Sequence, residues 1–460
     1  MEVTHTSSVG EEGSEHDCDS EYLPCSDEEH LLDESDLPID ERSQRLRKQT
    51  SFYKCNNVQL DESECEPATY TEAMNRKDAS KWSEAIAKEL QTLKDNDTWD
   101  FCDVPVNRKT VSSKWVFKVK NVNNVLQYKA RLVARGFEQQ DSFDLCDIYA
   151  PVAKLSTFRL FVAVATKLNV PIYQMDVTGA FLYGEIKEEV YVSLPKGAYS
   201  GYNNTVKLKR SLYGLKSSPK CWNQKFNTVI TKEGFVRSKC DSCLYRKYSG
   251  TDKMFVLIDV DDMLISGTNE QEIRNLKTVL NNQFKMKDLG FISDFLGINV
   301  KQNLQNGTTV LSQRNYLANV LKRFNMENCK PMMTPMDKNF NSKIFDSDVK
   351  CNKKFEETCR EIIGCLMYAV SGTRPDLCFA ISMLSRFQNS ANSELLSALK
   401  RVLRYVKYTI DYNIIYKCND TVLQGFCDAD WAGDQRDRKS TSGYLFTFAN
   451  CLIVWCSKKQ

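Results

Sequence analysis

Between Asp78 and Asn96 the apolar residues Trp82, Ala85, Ile86, Leu90 and Leu93 recur at helical spacing, which predicts an amphipathic helix with Asp78 or Ser80 as its N-cap. The period then drops to two. Lys114 to Lys120 (KWVFKVK) alternates, Asn121 to Asn124 reads as a turn, and Gln127 to Phe137 (QYKARLVARGF) returns as the second arm of a β-hairpin. Further helices are predicted in STFRLFVAVATKLN, in SPKCWNQKFNTVITKEGF from Pro219 onward, and in TNEQEIRNLKTVLNNQF, capped by Thr268 or Asn269. Strand patterns lie between them: PIYQMDV with Asp176 at its end, VYVSLP, CLYRKY, and the greasy run FVLIDVDDMLIS (Phe255 to Ser266). From Pro171 to Phe284 the order β–(β)–α–β–β–α suits an antiparallel sheet packed on two helices, a split βαβ arrangement. Residues 1 to about 66 lack such periodicity and are expected to be a disordered tail or linker.

Charge sharpens that boundary. Met1 to Glu41 carries fifteen Asp/Glu and no Lys or Arg, so a whole-chain net charge of +2 leaves about +17 on the remainder. A basic body with an acidic tail points to a polyanionic partner, nucleic acid first, although a lysine-rich solvated surface has the same composition. Lys118, Lys120, Lys129, Arg131 and Arg135 all lie on the predicted hairpin, and two-sided basic strands suit phosphate contact better than packing.

Composition also narrows the chemistry. The three histidines (His5, His16, His30) all fall in the acidic tail, which excludes a Ser-His-Asp triad, a Cys-His dyad and histidine-based zinc catalysis in the body. The eighteen cysteines, with no apolar leader at the start and no run long enough to span a bilayer, are expected to be reduced and mostly buried in an intracellular protein. Cys240 and Cys243 form one CxxC without a second pair, a spacing that is more often structural than metal-binding. Carboxylates are left as the informative groups. Asp261 and Asp262 sit in a turn between two apolar strands, where adjacent like charges cost several kcal/mol unless something positive neutralises them. A divalent metal held by oxygen ligands would do so, whereas a solvated acidic hairpin tip would accept any polar residues. With Asp176 on a neighbouring strand, three carboxylates could converge on two magnesium ions and serve an in-line displacement. Asp176 taken alone is no more than a strand-end acid.

The stretches YKARLVARGF, QMDVTGAFLYGEIKEEVYVSLPKG, LYGLKSSPKCW, VDDMLI, DLGFISDFLGI, LSQRNYL, GCLMYAVSGTRPDLCFAISMLSRF and CDADWAGDQRDRKSTSGYLF occur in that order from about Pro67 to the last residue. Together they resemble the reverse transcriptase of copia-type LTR retrotransposons. The resemblance implies an α+β right-hand polymerase with fingers, ferredoxin-like palm and thumb, then a connection segment and a truncated RNase H-like β-sheet. The expected divisions are 1–66 acidic tail, 67–300 fingers and palm, 301–345 thumb-like, 346–418 connection and 419–460 RNase H-like. The implied activity is RNA-directed DNA polymerisation, with two Mg2+ ions (or Mn2+) as cofactors and dNTPs as substrates. The implied partners are an RNA template, a DNA primer–template or an RNA/DNA hybrid, with no membrane. The expected location is cytoplasmic, in virus-like particles, or nuclear.

By matched position the resemblance makes Asp176, Asp261 and Asp262 the catalytic acids and metal ligands, with the Val177 carbonyl facing the same ions. Phe181 would exclude a ribose 2′-hydroxyl. Gly214 and Lys216 would shape the nucleotide pocket, and Lys120, Lys129 and Arg131 are the candidate triphosphate contacts. Phe295-Leu296-Gly297 would correspond to the primer grip. Asp428 resembles the first acid of an RNase H site, and without that site's glutamate an inactive remnant is expected. No protease or integrase portion is present, so a piece of a longer polyprotein is expected. Asp259 and Asp294 stand where the family commonly has tyrosine, each one base change away. These two departures keep open an alternative, a catalytically dead relic or host-adopted nucleic-acid-binding protein. A nucleotidyl cyclase on a similar palm is a weaker third option, disfavoured by the Leu-Tyr-Gly-Leu-Lys and RNase H-like segments.

Overall fold

A computed structural model describes residues 66–122, 125–139, 148–199, 201, 203–337, 353–418, 422–434 and 436–460, all within the compact unit Asn57–Gln460. The acidic segment, its three histidines and the tip of the predicted hairpin turn lie outside the described residues. Glu66 is described, and its carboxylate accepts from the Lys118 ammonium at 2.6 Å and the Val119 N–H at 3.2 Å.

Helices α1 (Tyr70–Met74) and α2 (Ala79–Asp95) pack on a sheet of order β1–β6–β5–β2–β3. Its strands are β1 (Trp99–Phe101), β2 (Thr110–Val122), β3 (Val125–Ala134), β5 (Tyr191–Ser193) and β6 (Thr205–Leu208), with β4 given below. The predicted face of α2 is buried at Trp82, Ala85, Ile86 and Leu93, and Trp82 meets Phe117 and Tyr128 edge-on at 5.1 and 4.7 Å. Asp78 stands at the N-cap position but does not cap. Its carboxylate accepts instead from Trp82 Nε1 and Arg76 Nε, both at 3.1 Å. Periodicity did not reveal that β5 pairs in parallel with β2, Tyr191 opposite Thr110, because parallel partners are joined by long crossovers.

The second sheet has the order β11–β4–β10–β9–β8–β7 and every pairing is antiparallel. It comprises β4 (Ile172–Val177), β7 (Val236–Arg237), β8 (Leu244–Ser249), β9 (Asp252–Asp259), β10 (Asp262–Gly267) and β11 (Met286–Phe291). Burial runs without alternation from Met263 to Gly267, so both faces of the central strand are covered. The covering core comes from α3 (Leu155–Leu168), α4 (Ser218–Lys232) and α5 (Glu270–Gln283), through residues such as Phe158, Phe226 and Leu276. Asn269 caps α5, its side chain accepting the Gln271 and Glu272 N–H groups.

Beyond this core, β12 (Asp294–Phe295), β13 (Ile298–Asn303), β14 (Thr308–Ser312) and β15 (Ile414–Lys417) form a third antiparallel sheet. Helices α6 (Arg314–Arg323), α7 (Lys353–Gly372), α8 (Cys378–Ser385) and α9 (Ser393–Tyr408) intervene before β15. The turn from β12 to β13 is Leu296-Gly297, with φ of 51° and 70°, as expected of a two-residue hairpin in which both positions are left-handed. A last antiparallel sheet comprises β16 (Gln424–Ala429), β17 (Thr441–Phe448) and β18 (Cys451–Lys459). It shares the main core through Ala449 and Ile453.

Arg159 fastens these parts together. It is buried on α3, and burial pulls its guanidinium down to about 10. It donates to the Ile453 carbonyl at 2.6 Å and to the Ser371 and Gly372 carbonyls at 2.5 and 2.9 Å. The last two are orphan carbonyls at the C-terminus of α7, where a cation also meets the negative end of the helix dipole. The Trp455 ring covers the guanidinium at 3.9 Å, and its Nε1 donates to the Val370 carbonyl.

Candidate active site

The acidic turn is two residues long. β9 ends on Asp259, β10 begins on Asp262, and Val260-Asp261 joins them. Val260 has φ of 56°, an uncommon conformation for a β-branched residue, which costs roughly 1–2 kcal/mol. The turn is held by its neighbours: Trp222 Nε1 on α4 donates to the Val260 carbonyl at 2.6 Å, and the Val177 N–H donates to the Asp261 carbonyl at 2.9 Å. Strained backbone pinned from two sides is how folds retain a functional turn.

Register then sets the side chains. Asp262 is directly opposite Asp259 on one side and Asp176 on the other, and Asp176 is opposite Lys287 on β11. Direct cross-strand partners share a face, so Asp259, Asp262, Asp176 and Lys287 form one row across four strands. Crowding is evident in the ionisation. Burial pushes the Asp262 carboxyl up to about 6, with Asp261, Asp176 and Asp259 adding to the rise. Asp261 is raised by burial and by Asp176, while Arg131 and Lys120 oppose the shift. Asp259 is raised too, by burial first, and its Oδ1 accepts the Ala153 N–H at 3.1 Å.

The cations that answer this row come mainly from the other sheet. Partial burial, then Lys120 and Arg131, hold the Lys129 ammonium below its usual range, with Lys287 adding and Asp176 opposing. Arg131 lies 4.9 Å over the Tyr213 ring, and Tyr213 meets Phe181 edge-on at 5.2 Å. Phe181 sits in a single 3-10 turn, Ala180–Tyr183, directly after β4. Gly214 and Gly136 mark where backbones touch: a Cβ on Gly214 would stand 2.1 Å from the Ala134 carbonyl, and one on Gly136 equally close to the Gly214 carbonyl. That approach lets the Ala134 N–H donate to the Tyr213 carbonyl at 2.8 Å. Lys216 is drawn to Gln139, its N–H to Oε1 at 2.9 Å and its ammonium to the carbonyl at 3.2 Å.

The fold thus brings Asp176 within electrostatic reach of Lys129, and Asp261 within reach of Lys120 and Arg131, while Asp262 is shifted by its neighbouring acids; Tyr213 links Phe181 to Arg131. Lys216 engages the edge of this region, through Gln139. Sequence reasoning missed Lys287 and Tyr213. The Lys285-Met-Lys alternation was a signal for the first, and the place of the second in the Leu-Tyr-Gly-Leu-Lys segment, beside Gly214, was its signal. In Cys240-Asp-Ser-Cys243, Cys240 is exposed and Cys243 buried, its thiol pushed up to about 12 by burial. Among the described residues no three carboxylate, thiol or imidazole groups are gathered closely enough to cage an ion. The donor set is nevertheless all oxygen and short of cationic partners, the chemistry that suits a hard divalent ion.

Residues 96–338 match the family model described as reverse transcriptase (RNA-dependent DNA polymerase). The chain belongs to the reverse transcriptase family. The retrovirus-related Pol polyprotein from transposon TNT 1-94 of Nicotiana tabacum is 35% identical over 436 residues, 91% of this chain and 32% of that one. The corresponding polyprotein from transposon RE1 of Arabidopsis thaliana is 36% identical over 403 residues, 86% of this chain and 27% of that one. The putative transposon Ty5-1 protein of Saccharomyces cerevisiae is 31% identical over 288 residues, 62% of this chain and 92% of that one. A foamy viral protease–reverse transcriptase solved in complex with double-stranded DNA aligns at TM-score 0.40 and 11% identity, covering 83% of this chain and 56% of that one. The resemblance to copia-type retrotransposon Pol polyproteins holds over most of the chain, which spans about a third or less of the two plant polyproteins. No helix among the described residues is long and apolar enough to cross a membrane.

Proposed function

We propose that this reverse transcriptase-family chain extends a primer with deoxynucleotides on an RNA or DNA template. One observation carries the reading: a row of under-neutralised carboxylates on one sheet lies within reach of basic strands of another. In this reading Asp176, Asp261 and Asp262, with the Val177 carbonyl, would hold magnesium or manganese. Bound there, the metal would supply Lewis acidity to the attacking hydroxyl and the leaving pyrophosphate. Lys120, Lys129 and Arg131 grip the triphosphate, Phe181 on its Tyr213 support excludes a 2′-hydroxyl, and Gly214 and Lys216 shape the pocket. The α2 and β2–β3 region serves as fingers, the six-stranded sheet as palm, residues 301–345 as thumb and 346–418 as connection, with the Leu296-Gly297 turn at the primer. The working location is intracellular, in particles or the nucleus.

A second reading, nucleic-acid binding without synthesis, draws support from Asp259, whose raised carboxyl adds a further acid to the row. Primer extension by wild type, Asp261→Asn and Asp259→Tyr decides between the two. Synthesis in wild type that disappears in Asp261→Asn supports the polymerase. Silence in wild type with synthesis in Asp259→Tyr identifies an inactivated copy, and silence in all three leaves the binding reading.

A further inference from the structure

The Leu296-Gly297 turn between β12 and β13 is an unusual place for a leucine. Both residues are left-handed, with φ of 51° and 70°, and a turn of this kind favours asparagine or aspartate before the glycine. A bulky side chain is disfavoured in that conformation, so the surrounding structure must hold it. On the core side Phe295 is buried and packs on Phe158 at 5.1 Å, and Leu296 lies against the core shared by the acid-bearing strands. Gly297 is exposed.

The other hold comes from a helix 72 residues further along the chain. A two-residue hairpin gives its first central carbonyl no partner of its own, since the ladder bonds join the flanking residues. The Tyr368 hydroxyl, on α7, donates to that Leu296 carbonyl. It also sits close against the glycine: a Cβ on Gly297 would stand 2.7 Å from the same hydroxyl oxygen. Burial pushes the Tyr368 phenol above its ordinary range, so it keeps the proton it donates. The ring is backed by Tyr316 of α6, edge-on at 4.7 Å, whose own hydroxyl donates to the Cys365 carbonyl of α7 at 2.9 Å. One side chain of α7 thus fixes the turn carbonyl and fills the space beside the glycine.

We propose that Tyr368 is a positioning residue for the primer terminus: its hydroxyl sets the Leu296-Gly297 turn, and the turn sets where the primer's 3′ end lies. The inference rests on the reading that puts this turn at the primer. It adds a control point outside the acid-bearing sheet, because the hydroxyl belongs to α7. Loss of the hydroxyl frees the carbonyl and lets the turn relax towards conformations that suit leucine better. The 3′ end then wanders while the rest of the duplex stays bound, and a misplacement of about 1 Å is enough to slow a reaction severely.

The probe is a primer–template duplex with 2-aminopurine, a base that brightens when unstacked, at the primer's 3′ end, bound to the full chain without nucleotides. Tyr368→Phe removes one hydroxyl and keeps the ring against Tyr316, so the fold is retained. It is expected to bind the duplex as wild type does and to brighten the terminal base, with no change when the probe lies in the interior of the duplex. Tyr316→Phe is the matched control, since it loses a hydroxyl bonded to the same helix without touching the turn, and it is expected to match wild type. Terminal fluorescence in Tyr368→Phe equal to wild type overturns the proposal, and so does equal brightening in Tyr316→Phe. Gly297→Ala separates the two layers, because a methyl there strikes the hydroxyl and strains the turn directly. If it brightens the terminal base while Tyr368→Phe does not, the turn lies at the primer and the Tyr368 role falls. If neither does, the placement of the turn at the primer falls as well. Single-turnover extension at saturating duplex and nucleotide is expected to be about tenfold slower in Tyr368→Phe and unchanged in Tyr316→Phe. Where wild type synthesises, an equal rate in Tyr368→Phe overturns the proposal; where it does not, the polymerase reading falls and the fluorescence alone decides the role of Tyr368.

Discussion

Two groups of aspartates in this molecule meet opposite fates. Asp434, buried near the last sheet, accepts from Arg386 at 2.8 Å and from Lys459 at 2.5 Å. The Lys459 hydrogen bond is the main cause that pulls its carboxyl down to about 2. Asp259, Asp261 and Asp262 are crowded at one hairpin end, and burial together with repulsion from neighbouring acids pushes all three up. An acid kept for stability comes with its cations; acids left short of cations destabilise the apo-protein and are kept for another reason. The largest predicted contrast follows directly. Asp261→Asn should cut primer extension by about 100-fold or more while leaving the melting temperature equal or higher, since it removes one charge from the crowded acids around the turn. Asp434→Asn should instead lower stability by about 2 kcal/mol in urea titration and affect extension only through the unfolded fraction. If Asp261→Asn destabilises more than Asp434→Asn, the distinction fails.

The same contrast has a pH signature in chelator, with opposite signs for the two groups. Asp434 has a depressed carboxyl, so its stabilisation is fully present above the unfolded value near 3.9 and is lost as pH falls towards 2. The site aspartates are raised, so the native state holds protons that the unfolded chain has released, and stability falls as pH rises from about 4 to about 6. Melting followed across pH 2–7 should therefore rise and then fall. Asp434→Asn should flatten the rise and Asp262→Asn the fall, and a wild-type fall in Asp262→Asn would contradict the assignment.

Asp259 lies between the two classes, because it belongs to the row but also accepts the Ala153 N–H. Asp259→Asn keeps the acceptor and removes the charge, and should be at least as stable as wild type at pH 7. Asp259→Ala should lose about 1–2 kcal/mol by stranding that amide, as measured by urea midpoint. Equal stability of the two variants would mean that the Ala153 contact contributes nothing.

Much of this was legible in the residues, and what was not has a physical reason. The α2 stripe, the basic hairpin and the paired aspartates are local patterns, and the register Asp262–Asp176 follows once β4 and β10 are neighbours. The Ala153–Asp259 bond spans 106 residues and the Arg159–Ile453 bond spans 294, so no window of sequence contains both partners. Arg159 reads as one polar residue in an apolar helix; only the fold shows that its charge is met by the end of another helix. Asp434, in the CDADWAGDQRDRKS stretch, was read as a family motif, while its work here is to bind Lys459 and Arg386.

The smallest expected effect tests whether a raised carboxyl is by itself a mark of function. Burial raises Asp294 as it does the site acids, yet the residue is exposed at its surface. Among the described residues its carboxylate accepts a long bond of 3.4 Å from Asn299 Nδ2, and no other acid contributes to its shift. With no neighbouring acid to relieve and no short bond to lose, Asp294→Asn should change stability by less than about 0.5 kcal/mol at pH 7. Asp262→Asn at the same pH should show a clear gain. Asp262 differs from Asp294 both in deeper burial and in the company of other acids, so equal effects would mean that neither carries energy at this site.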